Sequence, residues 1–491
     1  MRTPPNELTD FTASELGAGL RRGDFSCREV MQATLSRIQA LNPTFNAIVN
    51  LAAEHRLLDQ ADEADQELAA GRERGWLHGV PVAIKDAADA AGFPSTKGCE
   101  LLERNMPARD SIMTARMKAA GCIVIGKTTT PELGLGSHTF STLWGVTRNA
   151  WDTEVSAGGS SGGAAVSLAQ RMLPIADGSD FMGSLRNPAG WNHVYGMRPS
   201  QGRVPQGGNP DIWIDLLSTE GPMGRSIRDV GRLLATQSGF DPVAPLSMQS
   251  GFAWDGAEGA PEQLRGLRIG WLGDVGGHLA TEPGVLETCR DALAQLAAAG
   301  AVVEEIPLGF DAAQLWDCWL AWRGAIAGPR VGALMHHPRA RETIKPEALW
   351  EYERSLSLSY ADFRRASLTR SSYYQHMQAM FERWDLLALP SAQCWPFPVG
   401  ERWPRQIAGR AMDTYHRWME VTIYATLAGL PALVVPAGFH ANGKWPMGLQ
   451  LMGRYGNDAG VLRVGAAYEA LRGDFLARRP GTEGVQISSF S

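Results

Sequence analysis

The sequence predicts an α/β protein with a central sheet covered by helices. Two segments, residues 111–120 and 285–299, have helical patterns, and each is followed by a glycine and then by a short apolar run, 122–125 or 301–306. A further apolar run, 267–272, precedes the second helix and completes a βαβ unit. Because a βαβ unit pairs parallel strands, we expect a mixed, largely parallel twisted sheet with helices on both faces.

The chain begins with predicted helices. The capping-box pattern S/T-x-x-E occurs at Thr12 and at Ser26, and both positions predict a helix start. Residues 30–41 keep a helical period behind the second box, and we expect that helix to stop at Asn42-Pro43. The next apolar run, residues 79–86, contains β-branched residues and reads as a buried strand that ends near Lys85.

Composition excludes several classes of function. The 46 basic and 52 acidic residues give a net charge of −6 without long blocks of one sign, so neither nucleic acid nor a membrane surface is an expected partner. Six scattered cysteines without a C-x-x-C pair indicate reduced thiols and no zinc site. Residues 1–10 lack a signal-peptide pattern, and the longest apolar stretch, 424–439, is broken by prolines. We expect a cytoplasmic protein without metal.

Tryptophan is concentrated in one part of the chain. Residues 311–420 hold eight of the sixteen tryptophans. Such a cluster either walls an apolar pocket or packs in the core, and the sequence leaves both interpretations open.

Residues 121–128, GCIVIGKT, match the P-loop pattern G-x-x-x-x-G-K-T. A P-loop needs a turn whose amides face phosphate, whereas the apolar residues 122–125 are typical of a buried strand. Nucleotide binding is therefore disfavoured, and we expect Lys127 to be a solvated charge at a strand end.

Residues 159–163, GSSGG, match the nucleophile-elbow pattern G-x-S-x-G around Ser161. An elbow follows a strand, but residues 149–158 contain no apolar run, and His376, His416 and His440 are in no distinctive setting. The elbow interpretation is disfavoured as well.

A third match combines three separated segments. Lys85 ends an apolar strand, Ser160 lies in the Gly/Ser-rich stretch SAGGSSGG, and Ser184 follows Gly183 in ADGSDFMGSLRNPAG. Together these segments resemble the amidase signature family of serine hydrolases, and agreement of several segments is more specific than either short pattern. Supporting matches lie at residues 144–152, 195–205, 424–439 and 446–469.

The resemblance implies a Ser-cis-Ser-Lys triad without a cofactor. Ser184 would be the nucleophile, Ser160 the bridging serine behind a cis peptide bond, and Lys85 the base. A lysine with its ordinary pKa near ~10.4 is protonated at neutral pH, so the base must be buried to be neutral. Lowering of the lysine pKa by burial is therefore an expectation.

The family also implies an oxyanion hole of backbone amides in the loop before the nucleophile. One such donor contributes about 2.7–4 kcal/mol to transition-state binding. The expected donors are the amides of Phe181, Met182, Gly183 and Ser184.

The loop departs from the family in one respect. Small residues commonly precede the nucleophile, whereas here Phe181 and Met182 do. We expect these two bulky side chains to reshape the acyl pocket. The full set of predicted pocket residues is Phe181, Met182, Trp316, Trp319 and Trp395.

Three supporting residues are expected around the triad. Asp180 and Arg186 flank the nucleophile loop and either form a buried ion pair or make separate surface contacts. Ser161 is expected to hydrogen-bond near the triad.

The resemblance runs to about residue 470 and predicts a single domain over residues 1–491. Its expected parts are N-terminal helices to about residue 70, a catalytic core over 71–240, a variable pocket segment over 241–420 and a C-terminal return over 421–475. The Gly/Pro-rich residues 240–265 are expected to be a crossing inside this domain.

The expected function is hydrolysis of a C–N bond in a small amide or carbamate, with an aryl or apolar group, through an acyl- or carbamoyl-enzyme. The alternatives are an A-type subunit of a tRNA-dependent amidotransferase that releases ammonia from glutamine, and an esterase. A non-catalytic binding protein is disfavoured because Lys85, Ser160 and Ser184 are all present. The expected partner is the small-molecule substrate, with a monomer or a homodimer as the assembly.

Overall fold

The computed structural model describes residues 8–208, 211–254, 256 and 259–481. The expectation of no signal peptide rests partly on residues 1–7, which lie outside the described residues. Residues 255, 257 and 258 of the predicted crossing lie outside them as well.

Helices and strands alternate along most of the described chain. The helices are α1 Ala13–Arg22, α2 Cys27–Phe45, α3 Glu54–Ala69, α4 Ile112–Ala119, α5 Gly162–Ala169, α6 Arg186–Asn192, α7 Ile227–Gln237, α8 Val285–Ala298, α9 Ala312–Gly332, α10 Ala340–Thr343, α11 Pro346–Ser355, α12 Tyr360–Met380, α13 Ile423–Leu427, α14 Asp458–Leu471 and α15 Gly473–Leu476. The strands are β1 Ile48–Val49, β2 Pro81–Lys85, β3 Ile123–Thr128, β4 Phe140–Ser141, β5 Gly145–Val146, β6 Ile175–Asp180, β7 Tyr195–Arg198, β8 Thr219–Gly224, β9 Arg268–Trp271, β10 Val302–Glu305, β11 Leu386–Pro390, β12 Gln406–Ile407, β13 Arg410–Ala411, β14 Ala432–Phe439 and β15 Pro446–Gly453. Short 3₁₀ segments cover Glu100–Leu102, Glu132–Gly134, Pro261–Leu264 and Arg417–Thr422.

The largest sheet is mixed and flanked by helices, which confirms the predicted α/β class. Its strand order is β10-β9-β11-β15-β14-β7-β8-β6. The pairs β10/β9 and β9/β11 are parallel, and the other neighbours are antiparallel. The parallel pairing expected from the βαβ pattern therefore holds at one end of the sheet and does not extend across it. A short connection such as 440–445, between β14 and β15, allows only an antiparallel hairpin.

Both helix-glycine-strand patterns produce parallel pairs. The second forms the predicted βαβ unit, in which β9 and β10 flank α8 and pair from Val302 opposite Arg268 to Glu305 opposite Trp271. The first places α4 between β2 and β3, which pair in parallel in a separate three-stranded sheet of order β1-β3-β2. This small sheet carries Lys85 at the end of β2.

The N-terminal helices follow their capping signals, but α2 is longer than predicted. The Thr12 and Ser26 side chains both form complete capping boxes. The helix α2 does not stop at Asn42-Pro43: it continues to Phe45 and includes Pro43 in its last turn, although Pro43 has no N–H to donate within the helix. The chain leaves the helix at Asn46, whose φ is 49°, and Asn42 Oδ1 accepts hydrogen bonds from the next two amides.

The residues of the P-loop match lie inside a buried strand. Strand β3 continues to Thr128, so the Gly-Lys-Thr residues belong to the sheet. The expectation that Lys127 is solvated is wrong: it is fully buried, and its Nζ donates to the carbonyl of Ala88 and, at 3.4 Å, to Ser95 Oγ. Burial lowers the pKa of Lys127, and nearby Asp86 opposes that shift.

None of the helices within the described ranges combines the length and the apolar character needed to cross a bilayer.

A buried carboxylate joins the first helix to the rest of the domain. Asp229 in α7 is fully buried, and its oxygens accept hydrogen bonds from the Ala13 amide at 2.7 Å and the Ser14 amide at 3.0 Å. Ser14 Oγ also donates to it. Because these amides belong to the first turn of α1, the carboxylate also lies at the positive end of the helix dipole.

We expect Asp229→Ala to reduce the free energy of unfolding by about 2–4 kcal/mol, because two helix-end amides and a hydroxyl lose a charged acceptor. Urea denaturation measures the loss. The matched control is Asp24→Ala, which breaks the exposed Arg22–Asp24 ion pair and should cost less than about 1 kcal/mol. Equal losses in the two variants would contradict the role given to Asp229.

Candidate active site

A cavity of about 500 Å³ lies where β2 and β6 end. Lys85, Ser160 and Ser184, which are far apart in the sequence, all line it. The three residues predicted to act together therefore share one cavity.

Lys85 is a buried amine surrounded by hydroxyl groups. Its side chain leaves β2, and the residue is 1% exposed. Its Nζ donates to Ser160 Oγ and Ser161 Oγ, both at 2.8 Å, and to Ser179 Oγ at 3.0 Å. The carbonyl oxygen of Ser179 accepts a longer bond of 3.4 Å from the same amine. Among the described residues, the hydrogen-bond partners of Nζ are thus all neutral oxygens.

The burial of Lys85 changes its protonation. Loss of solvent lowers its pKa from the ordinary 10.5 to about 7, while the negative charges of Asp177, Asp180 and Glu220 oppose this shift. At neutral pH a substantial fraction of this amine is therefore uncharged and able to accept a proton.

The Gly/Ser-rich stretch brings Ser160 to the amine in a crowded bend. The Gly159–Ser160 peptide bond is cis, and α5 starts at Gly162 directly behind it. A Cβ on Gly163 would lie 2.4 Å from the backbone nitrogen of Thr129, so only glycine allows the start of α5 to approach the end of β3. The glycines here are required by close packing, which argues against a flexible linker.

Ser184 lies in the loop that follows β6. Its carbonyl accepts a hydrogen bond of 3.2 Å from the Ser161 amide, which joins the two serine segments. Ser184 lines the cavity, and its Oγ makes no hydrogen bond within the described part of the chain. The preceding Gly183 has a φ of +82°, and a Cβ there would lie 2.5 Å from Thr422 Cγ2.

A buried ion pair shapes this loop. The structure brings Asp180 and Arg186 together with both side chains fully buried and 2.9 Å between Oδ1 and Nη2. Arg186 also donates to the Thr422 carbonyl at 2.9 Å and to Gln450 Oε1 at 2.7 Å. Burial alone would raise the pKa of Asp180, but Arg186 and Arg198 hold it well below its ordinary value.

The loop amides differ in their availability. The Gly183 amide donates to Asp180 Oδ1 at 3.0 Å, so the expectation that it faces an oxyanion is corrected: this donor is already used to hold the loop. The amides of Phe181, Met182 and Ser184 have no hydrogen-bond partner among the residues that the structure describes. They are the remaining oxyanion-hole candidates.

Comparison with known proteins assigns the family. A family model described as Amidase matches residues 29–462. The chain belongs to the amidase family. This amidase is 33% identical over 470 residues to an acylamidase of Rhodococcus erythropolis, covering 94% of this chain and 95% of that protein. It is also 34% identical over 477 residues to the A subunit of the glutamyl-tRNA(Gln) amidotransferase of Thermus thermophilus, covering 93% and 96%.

A solved structure shows the same fold. The amidase superposes on a bacterial aryl acylamidase of the amidase signature family with a TM-score of 0.88 and 28% identity, covering 96% of this chain and 99% of that one. The resemblance predicted from the sequence is therefore confirmed, and the chain is an amidase-signature hydrolase of C–N bonds.

The three tryptophans predicted to line the pocket of the amidase belong to the core. Trp316, Trp319 and Trp395 are buried and do not line the cavity, so their prediction as pocket residues is corrected. Met182 is also buried away from the cavity, whereas Phe181 lines it. Large aromatic side chains bury more surface in the core than in a cavity wall, and sequence clustering cannot distinguish the two locations.

Most of the apolar cavity wall comes from other segments. Part of it belongs to the C-terminal half of α9 and its end, and another part follows Pro131. The apolar lining residues are Ala87, Ala88, Leu102, Leu133, Leu135, Phe181, Ala327, Val331, Ala333 and Leu334.

The bulky residues before Ser184 pack on a buried arginine. Arg323 in α9 is 2% exposed and lies with its guanidinium carbon 5.4 Å from the Phe181 ring centre. One of its nitrogens approaches Met182 Sδ at 3.7 Å. Its charge is balanced by Glu351 of α11, and both side chains bond to the Tyr415 hydroxyl. Arg323 thus supports the part of the loop where this amidase departs from the family pattern.

Sequence reasoning missed several residues around Lys85. Ser179 Oγ accepts a hydrogen bond from the amine, while Asp177 and Glu220 line the same cavity. Alternation along β6 was the available signal, because residues 177 and 179 of one strand share a face. Across residues 8–481 as described, no group of three or more His, Cys, Asp or Glu side chains is arranged to hold a metal ion.

We expect the buried Arg323–Glu351 pair to contribute to the stability of the fold. We expect Glu351→Ala to cost about 3–5 kcal/mol, because it leaves a buried guanidinium unpaired. The control is Glu353→Ala on the same helix, which breaks the exposed Arg341–Glu353 pair and should cost about 0–1 kcal/mol. Denaturant unfolding compares the two variants, and a small loss for Glu351→Ala would show that the buried pair is unimportant for stability.

Proposed function

We propose that this amidase hydrolyses the C–N bond of a small amide or carbamate that carries an aryl or otherwise apolar group. Ser184 acts as nucleophile, Ser160 relays a proton, and Lys85 is the base. The observation that carries the proposal is the buried Lys85 amine, 2.8 Å from Ser160 Oγ, beside a cavity that Ser184 also lines.

The proposed reaction begins with the neutral amine. Lys85 takes the proton of Ser160, which takes that of Ser184 as Ser184 Oγ bonds to the substrate carbonyl carbon. The carbonyl oxygen becomes an oxyanion, and the free amides of Phe181, Met182 and Ser184 are the proposed donors to it. The proton returns to the leaving nitrogen when the C–N bond breaks. Water then attacks the acyl- or carbamoyl-enzyme and restores Ser184.

The cavity and the relatives support the proposed substrate class. A volume of about 500 Å³ suits a small molecule, and the apolar wall from α9 and residues 133–135 suits an aryl or alkyl group. The acylamidase and aryl acylamidase relatives support an amide. A carbamate reacts by the same attack and yields a carbamoyl-enzyme, so the Lys85–Ser160–Ser184 arrangement serves both classes. An ester is the chemically simpler variant of the same reaction.

A second candidate is a glutamine-hydrolysing subunit of a tRNA-dependent amidotransferase. The 34% identity to the Thermus thermophilus protein favours it. The apolar wall and the Phe181 side chain beside the nucleophile disfavour a glutamine-shaped site. Glutaminase activity that appears only with a co-purifying partner would decide for this candidate.

We expect purified protein to hydrolyse aryl amides or aryl carbamates in preference to glutamine, and Ser184→Ala to lower kcat/KM by roughly 10³-fold or more. A panel of anilides, primary amides, aryl carbamates and matched esters measures both. Ser167→Ala is a matched control, because the hydroxyl of this buried serine of α5 donates to a carbonyl of its own helix. Unchanged turnover in Ser184→Ala would remove Ser184 from the nucleophile role.

The protonation of Lys85 predicts the pH dependence. Only the neutral amine can act as base, so kcat/KM should rise with pH through about 7 and level off above it. Lys85→Ala should lose activity by a factor similar to that of Ser184→Ala. A rate that is flat from acid to alkaline pH would exclude a neutral lysine as the base.

A further inference from the structure

A buried carboxylate that the proposed reaction does not use contacts the base. Asp177 in β6 is fully buried, and both of its oxygens lie 3.2 Å from the backbone nitrogen of Lys85, which donates to them. Ser179, two residues along the same strand, holds the Lys85 amine through its Oγ at 3.0 Å. One strand therefore holds Lys85 at its backbone and at its amine.

The contact also joins two sheets. Lys85 ends β2 in the three-stranded sheet, and β6 is the terminal strand of the eight-stranded sheet. Strand β6 ends at Asp180 and leads directly into the loop of Ser184. The Asp177–Lys85 hydrogen bonds thus help to set the position of the base relative to the nucleophile loop.

Several ionisable groups face this pair from neighbouring elements. Lys85 is influenced by Asp177 and Asp180 of β6 and by Glu220 of β8. Asp177 is influenced by Lys127 of β3 as well as by Lys85, and it acts in turn on Glu220 and on Cys122. Asp89, in the loop after β2, acts on Lys127 and Glu220.

The charge of Asp177 opposes the effect of burial on Lys85. Burial raises the pKa of Asp177 to about 6, so this carboxyl is ionised at neutral pH. Its negative charge stabilises the ammonium form of Lys85, whereas burial favours the neutral amine. Glu220 stands opposite Ser179 on the neighbouring strand, and burial raises its pKa to about 8, so it carries less charge at neutral pH.

We propose that Asp177 is a positioning residue, whose carboxylate fixes Lys85 against the strand of the nucleophile loop and whose negative charge opposes loss of the proton from Lys85. The inference rests on the proposed function, since it acts through Lys85. In this proposal a buried carboxyl group on a strand controls the pH range in which the site is active.

The test is the pH dependence of Ser184 labelling by a fluorophosphonate, which needs no knowledge of the substrate. Ser184 Oγ bonds to phosphorus, the P–F bond breaks, fluoride leaves, and the serine proton passes through Ser160 to Lys85. Intact-protein and peptide mass spectrometry give the rate and the labelled residue for wild type, Asp177→Asn and Asp177→Ser. Both substitutions remove the charge and keep a hydrogen-bond acceptor.

We expect the midpoint of the labelling profile to fall by about one pH unit in both variants, because an opposite charge beside the amine is lost. The plateau itself should fall, because a less basic amine is a weaker proton acceptor.

The matched control is Asp86→Asn. Asp86 is the next residue after Lys85 and is equally buried, but its carboxylate binds Thr96 and the Gly98 amide. This variant should keep the wild-type midpoint even where it is less stable. A midpoint unchanged in both Asp177 variants, or shifted equally in Asp86→Asn, overturns the inference and leaves the proposed function intact. Absence of Ser184 labelling in wild type at every pH overturns the proposed function and the inference with it.

Discussion

The site depends on one buried amine whose hydrogen-bond partners, within the described residues, include no carboxylate. A lysine removed from water loses its charge only if the interior does not replace the solvation. The Lys85 amine donates only to neutral groups, three serine hydroxyls and a carbonyl. The nearby carboxylates bind other groups. Asp177 binds the backbone of the same residue, and Asp180 is neutralised by two arginines. The fold thus keeps negative charge near the amine but off its nitrogen.

The same constraint explains why the surrounding chain is so closely packed. The bend before α5 places two hydroxyls on the amine, and its glycines allow contact with the end of β3. On the other side of the cavity, the Asp180 oxygens accept hydrogen bonds from the Gly183 and Leu185 amides and from Arg186. These contacts fix positions by hydrogen bonds to fully buried groups, and such groups are costly to leave unpaired. Accurate placement and exclusion of water are achieved by the same residues.

The local parts of this structure were predictable, and the long-range parts were not. Capping boxes, the βαβ unit and the strand before Lys85 follow from patterns between residues close in the sequence. The end of α2 was misplaced because the helix includes Asn42-Pro43 in its last turn. Lys127 was misplaced because it lies inside a buried strand and not at a solvated strand end. The antiparallel half of the sheet depends on pairings between distant strands, such as β14 with β7, which no local pattern encodes.

The candidate site likewise contains residues that the sequence predicts and residues that it does not. Lys85, Ser160 and Ser184 could be found because three segments match one family pattern, and Asp180 and Arg186 flank one of them. The arginine beneath Phe181 could not be found, since Arg323, Glu351 and Tyr415 come from separate elements with no shared motif. The tryptophans misled for a related reason: Trp316 and Trp319 of α9 pack in the core, and composition does not reveal which face of a helix meets a cavity.

The contacts of Arg186 can form only late in the synthesis of the chain. This arginine lies two residues after Ser184, yet it donates hydrogen bonds to Thr422, Thr426 and Gln450, near the other end of the chain. A ribosome must add more than two hundred residues after Ser184 before these partners exist, and contacts of such sequence separation form late. The nascent polypeptide therefore carries Ser184 in an unfinished loop, and the loop is complete only when the last strands of the sheet have been translated and docked.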